Sequence, residues 1–236
     1  EDGPETLASL QEFRPAGYLV LRGGEGQDGK HAQRIAQDGV PMVMVGTPSQ
    51  FRSHAVGVDQ RLAMRQATDY VIQCGHRRLG YLGGPSYSVG ACERKLGLLE
   101  GLVYHGIPVT DVMFADVTSS AESGLHAARV MLKNPATRPT VILCFNDLVA
   151  MGVYHAAYEL SLSIPRDLSV VGFDGVDLGE LLCPPLTSVG TFPIQQGIRA
   201  AELLVKIIRD GEPIGRQLIT EWVPFQLIKR GSVSTL

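Results

Sequence analysis

The sequence predicts an α/β fold in which parallel sheets are covered by helices on both faces. Two observations carry this. Short apolar runs alternate with stretches of helical periodicity along most of the chain, the order that crossover helices impose on a parallel sheet. The runs are also continuous, as in Thr140–Phe145 (TVILCF) and Leu168–Gly172 (LSVVG), the pattern of strands buried on both faces. With 236 residues, 44% hydrophobic and 19% charged, the chain is long enough for one large domain or two small lobes.

In order, Gly17–Leu21 reads as a strand, followed by the glycine-rich stretch Gly23–Gly29 and a helix to Gln37. Pro41–Val45 is a strand ended by Gly46. Residues 60–74 read as a helix with Ala63, Ala67, Tyr70, Val71 and Cys74 on one face and Gly75 as its stop. Arg78–Gly83 is a strand and 92–104 a helix. Met113–Ala115 is a short strand. Ser119 with Glu122 forms an S-x-x-E capping box. Behind it Ala121, Leu125, Ala128 and Leu132 make a helical stripe. After strand 140–145, Asp147 can cap a helix whose face is Val149, Val153, Ala157 and Leu160. Strand 168–172 follows, then a helix lined by Ile194, Ile198, Ala201, Val205 and Ile208 and stopped by Gly211. The last strand runs from about Gln217 to Ile228.

Such sheets bind ligands outside the carboxyl ends of their strands, so the loops there hold the candidate site. Asn146 ends a strand, and its amide offers a donor and an acceptor to a sugar hydroxyl or a base edge; a turn-forming asparagine is the competing explanation. Asp174, in Gly172–Gly175 (GFDG), can accept bonds from two neighbouring hydroxyls, or serve only as an Asp-Gly turn. The Arg94 fork can clamp a hydroxyl pair or a carboxylate, or be a surface arginine. Asp59 ends Val56–Asp59 (VGVD) and is a ligand group or the cap of the next helix.

Other chemistry finds less support. Gly24–Lys30 matches G-x-x-x-x-G-K, but His31 stands where a phosphate loop needs Ser or Thr for magnesium, so a polar surface loop and no nucleotide turnover are expected. The six histidines lack metal spacing, and neither H-E-x-x-H nor G-x-S-x-G occurs. No enzyme activity, metal or cofactor is expected. The net charge of −3 argues against this segment gripping a phosphate backbone. Cys74, Cys92, Cys144 and Cys183 form no C-x-x-C pair and are expected as buried, reduced thiols. No apolar run approaches 18 residues, so no membrane partner is expected. No signal-peptide pattern opens the chain, which begins with Glu and is expected to be a trimmed or processed piece.

Seven phrases, in register, resemble the LacI/GalR family of bacterial transcription regulators: Val56–Asp59 (VGVD), Gly75–Leu79 (GHRRL), Glu93–Gly97 (ERKLG), Phe145–Asp147 (FND) with Ala150–Gly152 (AMG), Ile164–Asp174 (IPRDLSVVGFD), Pro184–Thr187 (PPLT) and Leu227–Ser232 (LIKRGS). The resemblance covers the chain from about Glu5. It implies a periplasmic-binding-protein-like fold: two parallel-sheet lobes joined by a three-segment hinge, with crossings near residues 75, 190 and 215. One lobe is then 1–75 plus 191–214 and the other 76–190 plus 215–236.

It also implies a small effector, most often a sugar or nucleobase, whose binding closes the lobes and modulates operator DNA binding by a helix-turn-helix head. That head is expected to be absent here, as is the first strand–helix–strand unit, leaving the N-terminal lobe incomplete. By resemblance the ligand residues are Asp59, Arg94, Asn146 and Asp174, with Ser119 and Gly90 at positions that often touch ligand. A cytoplasmic homodimer is implied for the intact protein. A periplasmic sugar-binding protein of a transport system is the alternative.

Overall fold

The computed structural model describes residues 13–21, 39–47, 53–211 and 218–236. The Gly24–Lys30 motif and the helix expected to Gln37 lie outside the described residues. The chain divides into two compact units, Glu1–Asp59 with Pro193–Val223, and Gln60–Phe192 with Pro224–Leu236.

In the first unit, β1 (Tyr18–Leu21), β2 (Met42–Val45), β3 (His54–Gly57) and β9 (Thr220–Trp222) form a parallel sheet in the order β1-β2-β3-β9. Met44 faces Ala55 and Val56 faces Glu221 in register. Helix α5 (Pro193–Asp210) packs on β2 and β3. Its Ala200, Leu203, Leu204 and Ile207 meet Val43, Val56 and Val223 in a small apolar core. This is not the stripe read from sequence: Ile194, Ile198, Val205 and Ile208 are exposed. The helix carries two apolar faces, and periodicity alone does not choose between them. A second departure is β3, a four-residue strand that the sequence reading took only as part of a motif.

The second unit has six strands among the described residues: β4 (Leu79–Gly83), β5 (Val112–Asp116), β6 (Val141–Cys144), β7 (Ser169–Asp174), β8 (Thr187–Gly190) and β10 (Gln226–Ile228). Their order is β10-β8-β7-β6-β4-β5, and all pairs are parallel except β10 with β8. Helices α3 (Ala121–Leu132) and α4 (Asp147–Glu159) pack together. Their buried residues share a core with Leu82, Ile142, Cys144 and Val170 of the strands. Alternation along a strand turns Tyr81, Leu143 and Val171 to the other face, where α1 (Gln60–Gln73) lies over β6 and β8.

Both helix pairs rest on glycine. A Cβ on Gly97 of α2 (Val89–Tyr104) would stand 2.1 Å from the Arg61 carbonyl of α1, and one on Gly152 of α4 would stand 2.1 Å from the Ala121 carbonyl of α3.

Three expectations change. The single C-terminal strand is two strands in different sheets, because Ala55, Val56 and Gly57 pair with β9 while Ser188, Val189 and Gly190 pair with β10. The units meet at 59/60, 192/193 and 223/224 rather than near 75, 190 and 215, since α1 packs on α2 of the second unit. All four cysteines are free, but only Cys144 is buried; Cys92 and Cys183 are exposed and Cys74 is intermediate.

Candidate functional site

The carboxyl ends of β6 and β7 turn directly into the residues that chemistry would use. Arg94 reaches them from α2. It is almost wholly buried, 9% exposed, and its fork is shared among protein groups. Nε donates to Gln60 Oε1 at 2.8 Å, Nη1 donates to the Phe145 carbonyl, and Nη2 donates to Asp174 Oδ1 at 3.3 Å. The guanidinium lies 3.8 Å from the Phe173 ring centre and 4.9 Å from that of Phe145, within cation–π range. Burial pulls its pKa down and the Asp174 carboxylate pushes back, yet a guanidinium stays protonated in proteins.

Asp174 closes β7 with φ +106°, outside the usual range of a side-chain-bearing residue, and Gly175 follows at φ +73°. Its carbonyl accepts from the Thr191 amide at 3.2 Å and the Thr191 hydroxyl at 3.3 Å. Its side chain is 39% exposed.

Asn146 has extended backbone, and its Oδ1 accepts from the Val149 amide at 3.0 Å, so it is the residue that caps α4. Its Nδ2 donates to Ser119 Oγ. The cap expected of Asp147 therefore belongs to Asn146. Asp147, one residue inside the helix, is buried and bonds elsewhere. The capping box shifts in the same way: Ser120, not Ser119, caps α3 by accepting from the Ser123 amide at 3.1 Å, which leaves Ser119 to bond Asn146.

Four of the expected residues thus join in one array, Ser119 to Asn146, Arg94 to the carbonyl preceding Asn146, and Arg94 to Asp174. Asp59 is the last residue of the first unit, between β3 and α1. Gly90 lies in the first turn of α2 and brings no side chain. The sequence reading missed Gln60, Phe145 and Phe173. The two phenylalanines had a signal, since each immediately precedes a site residue at a strand end.

Residues 68–233 match the periplasmic binding protein-like domain. The PurR repressor of Photobacterium profundum is 33% identical over 86% of this chain and 61% of its own length. The CytR repressor of Escherichia coli is 31% identical over 83% and 57%. The ribose operon repressor of Escherichia coli is 30% identical over 96% and 67%. The chain thus spans about three-fifths of the length of the first two curated relatives.

Among solved structures, a LacI-family regulatory protein from Chloroflexus aggregans superposes with a TM-score of 0.82 at 28% identity, covering 96% of this chain and 79% of that one. A LacI-family regulator from Enterococcus faecium with bound ribose superposes at 0.86 with 23% identity, covering 100% and 86%, and shares the fold. Among the described residues no helix is long and apolar enough to cross a membrane. On these matches the chain belongs to the LacI family of transcriptional regulators, of which it carries the periplasmic-binding-protein-like part.

Proposed function

We propose that this chain is the effector-binding core of a DNA-binding repressor, working through the binding of a small polyhydroxylated or nucleobase effector. The observation that carries this reading is the Arg94–Asp174 pair: a buried cation stacked on two aromatic rings, joined to a carboxylate that remains partly exposed. Asp174 supplies acceptors for neighbouring hydroxyls, Asn146 an amide and Ser119 a hydroxyl. Arg94 acts mainly by holding Asp174, because three of its N–H groups are already engaged.

D-Ribose is the first effector to test, given a ribose-bound structural neighbour and a ribose operon repressor among the relatives. Purines come next. The relatives are repressors, which favours a regulator over a periplasmic transport protein. Operator binding, a cytoplasmic location and homodimerisation follow from the same reading, the last supported by a lac repressor dimer with the same fold, TM-score 0.83 at 23% identity over 98% of this chain and 78% of that one. This 236-residue chain alone, at net charge −3, does not bind an operator specifically.

The test is a thermal-shift screen of pentoses, hexoses, sugar phosphates and purines, followed by calorimetry. An effector at 100 times its Kd stabilises the protein by about 2.7 kcal/mol. A screen in which no compound stabilises the protein removes the reading.

A further inference from the structure

Asp147 takes no part in the array just described, although it adjoins Asn146. It is 1% exposed, and its carboxylate is fully engaged with the turn that follows β7. Oδ1 accepts from the Ser188 hydroxyl at 2.6 Å and Oδ2 accepts from the Val176 amide at 2.8 Å. Ser188 Oγ accepts in turn from the Gly175 amide at 3.2 Å. Strand β7 comes so close that a Cβ on Gly172 would stand 2.0 Å from Asp147 Oδ1.

The two amides tied in this way are the two that follow Asp174. Asp174 holds a left-handed φ, which costs free energy and persists only where the surroundings impose it. Asp147 and Ser188 are the groups that impose it from beneath the turn.

We infer that Asp147 is a positioning residue for Asp174: its carboxylate, bonded to the Val176 amide and the Ser188 hydroxyl, fixes the turn that points Asp174 at Arg94. This rests on the reading of Asp174 as an effector contact.

The choice of carboxylate follows from the partners. Two donors converge on it and a carboxylate accepts from both. An asparagine must turn its NH2 toward one of them; of these the Val176 amide has no lone pair to offer, while the Ser188 hydroxyl takes it only by giving up the bond it donates. The device is also sensitive to acid. Burial, opposed by the bonds from Ser188 and Val176 and reinforced by the charge of Asp174, raises the Asp147 pKa from 3.8 to about 6. The groups that face it are the Asp174 carboxylate from β7, the Arg94 guanidinium from α2 and the Cys144 thiol from β6, besides the Ser188 hydroxyl and the two amides. Below about pH 6 the added proton requires the Ser188 hydroxyl to turn its own proton away or costs the Val176 amide its acceptor, and the clamp weakens.

The experiment is amide hydrogen exchange of residues 175–176 between pH 5 and 7.5, in the wild type, Asp147→Asn and Ser188→Ala, with D-ribose titrations of the same proteins. In the wild type the protection factor at these amides falls about tenfold on acidification through pH 6. In Asp147→Asn it is low and flat with pH, and D-ribose affinity drops about tenfold. Ser188→Ala lowers protection at Gly175 in a background that keeps Asp147, so the inference is decided even if Asp147→Asn does not fold.

Wild-type protection in both variants overturns the clamp. Lost protection with unchanged D-ribose affinity overturns the positioning role. Failure of D-ribose to bind the wild type counts against a pentose effector, and the exchange data decide the clamp separately.

Discussion

Arg94 Nη2 donates to Asp174 Oδ1 across 80 residues of sequence. The pair predicts how effector binding responds to substitution. Asp174→Asn keeps the shape of the turn and removes the charge. A hydrogen bond to a charged group contributes about 1.5–3 kcal/mol, so calorimetry with the cognate effector should show binding weakened roughly 10- to 150-fold, with the melting temperature little changed. Wild-type affinity in this variant removes Asp174 from the site.

Arg94→Met, by contrast, should damage the fold. A clamp for ligand or a surface arginine, the two roles the sequence allows Arg94, could be truncated without cost to the fold. The structure shows Gln60 Oε1 and the Phe145 carbonyl depending on it inside the protein. Each buried acceptor left unpaired costs about 1–3 kcal/mol. Urea denaturation should show a loss of about 2–4 kcal/mol, and a loss under 1 kcal/mol would mean that these bonds are replaced by water.

His76 predicts acid sensitivity. It is fully buried, with Nε2 donating to the Ser234 carbonyl at 3.1 Å and Nδ1 2.9 Å from the Thr140 hydroxyl. Burial lowers its pKa below 6.5, against the Ser234 bond. The unfolded chain therefore takes up the proton first as pH falls, and stability present above pH 6.5 declines below it. Asp147 acts in the opposite sense between pH 3.8 and about 6, where the folded protein holds the extra proton and stability falls as pH rises. His76→Gln should flatten the melting-temperature profile between pH 7 and 6 and leave the Asp147 contribution at lower pH. An unchanged slope in that interval would assign the acid loss to other groups.

Tyr81 predicts a gain. Its hydroxyl is buried without a hydrogen-bond partner, and burial raises its pKa. Tyr81→Phe removes the unpaired group and keeps the ring against Phe114, 6.1 Å away. Stability should rise by about 1 kcal/mol, or about 2–4 °C in the melting temperature. A fall of similar size would show that an ordered water satisfies this hydroxyl.

What could be read in advance divides along physical lines. Strands such as β6 and β7 were legible because they are buried on both faces and continuously apolar. Asn146 and Asp174 were legible because they end those strands. The pairs Asn146/Asp147 and Ser119/Ser120 were misread by one position, since either member of each pair has a side chain able to cap a helix. Which one does so depends on where the backbone leaves the extended region. The displaced member matters in both cases, Ser119 bonding Asn146 and Asp147 bonding the turn. The points where the units meet depend on contacts between distant segments, Gly97 on Arg61 and β3 on β9, and no local pattern records them.

The threading of the last residues governs how the protein is made. Ser232 Oγ accepts from the Thr187 amide at 2.8 Å and donates to the Val170 carbonyl at 2.6 Å, while its own carbonyl accepts from the Val170 amide at 2.9 Å. It therefore stitches β7 to β8 from outside the strands themselves, just as β9 finishes the first sheet and β10 the second. On the ribosome, the first sheet waits for residue 222 and the second for residue 228 to leave the exit tunnel. Until then β8 has an unpaired edge, the state in which nascent sheets pair with the wrong neighbour. Effector competence thus waits on β9 and β10, and a chain stalled before β9 would present two unfinished sheets to the cell's chaperones.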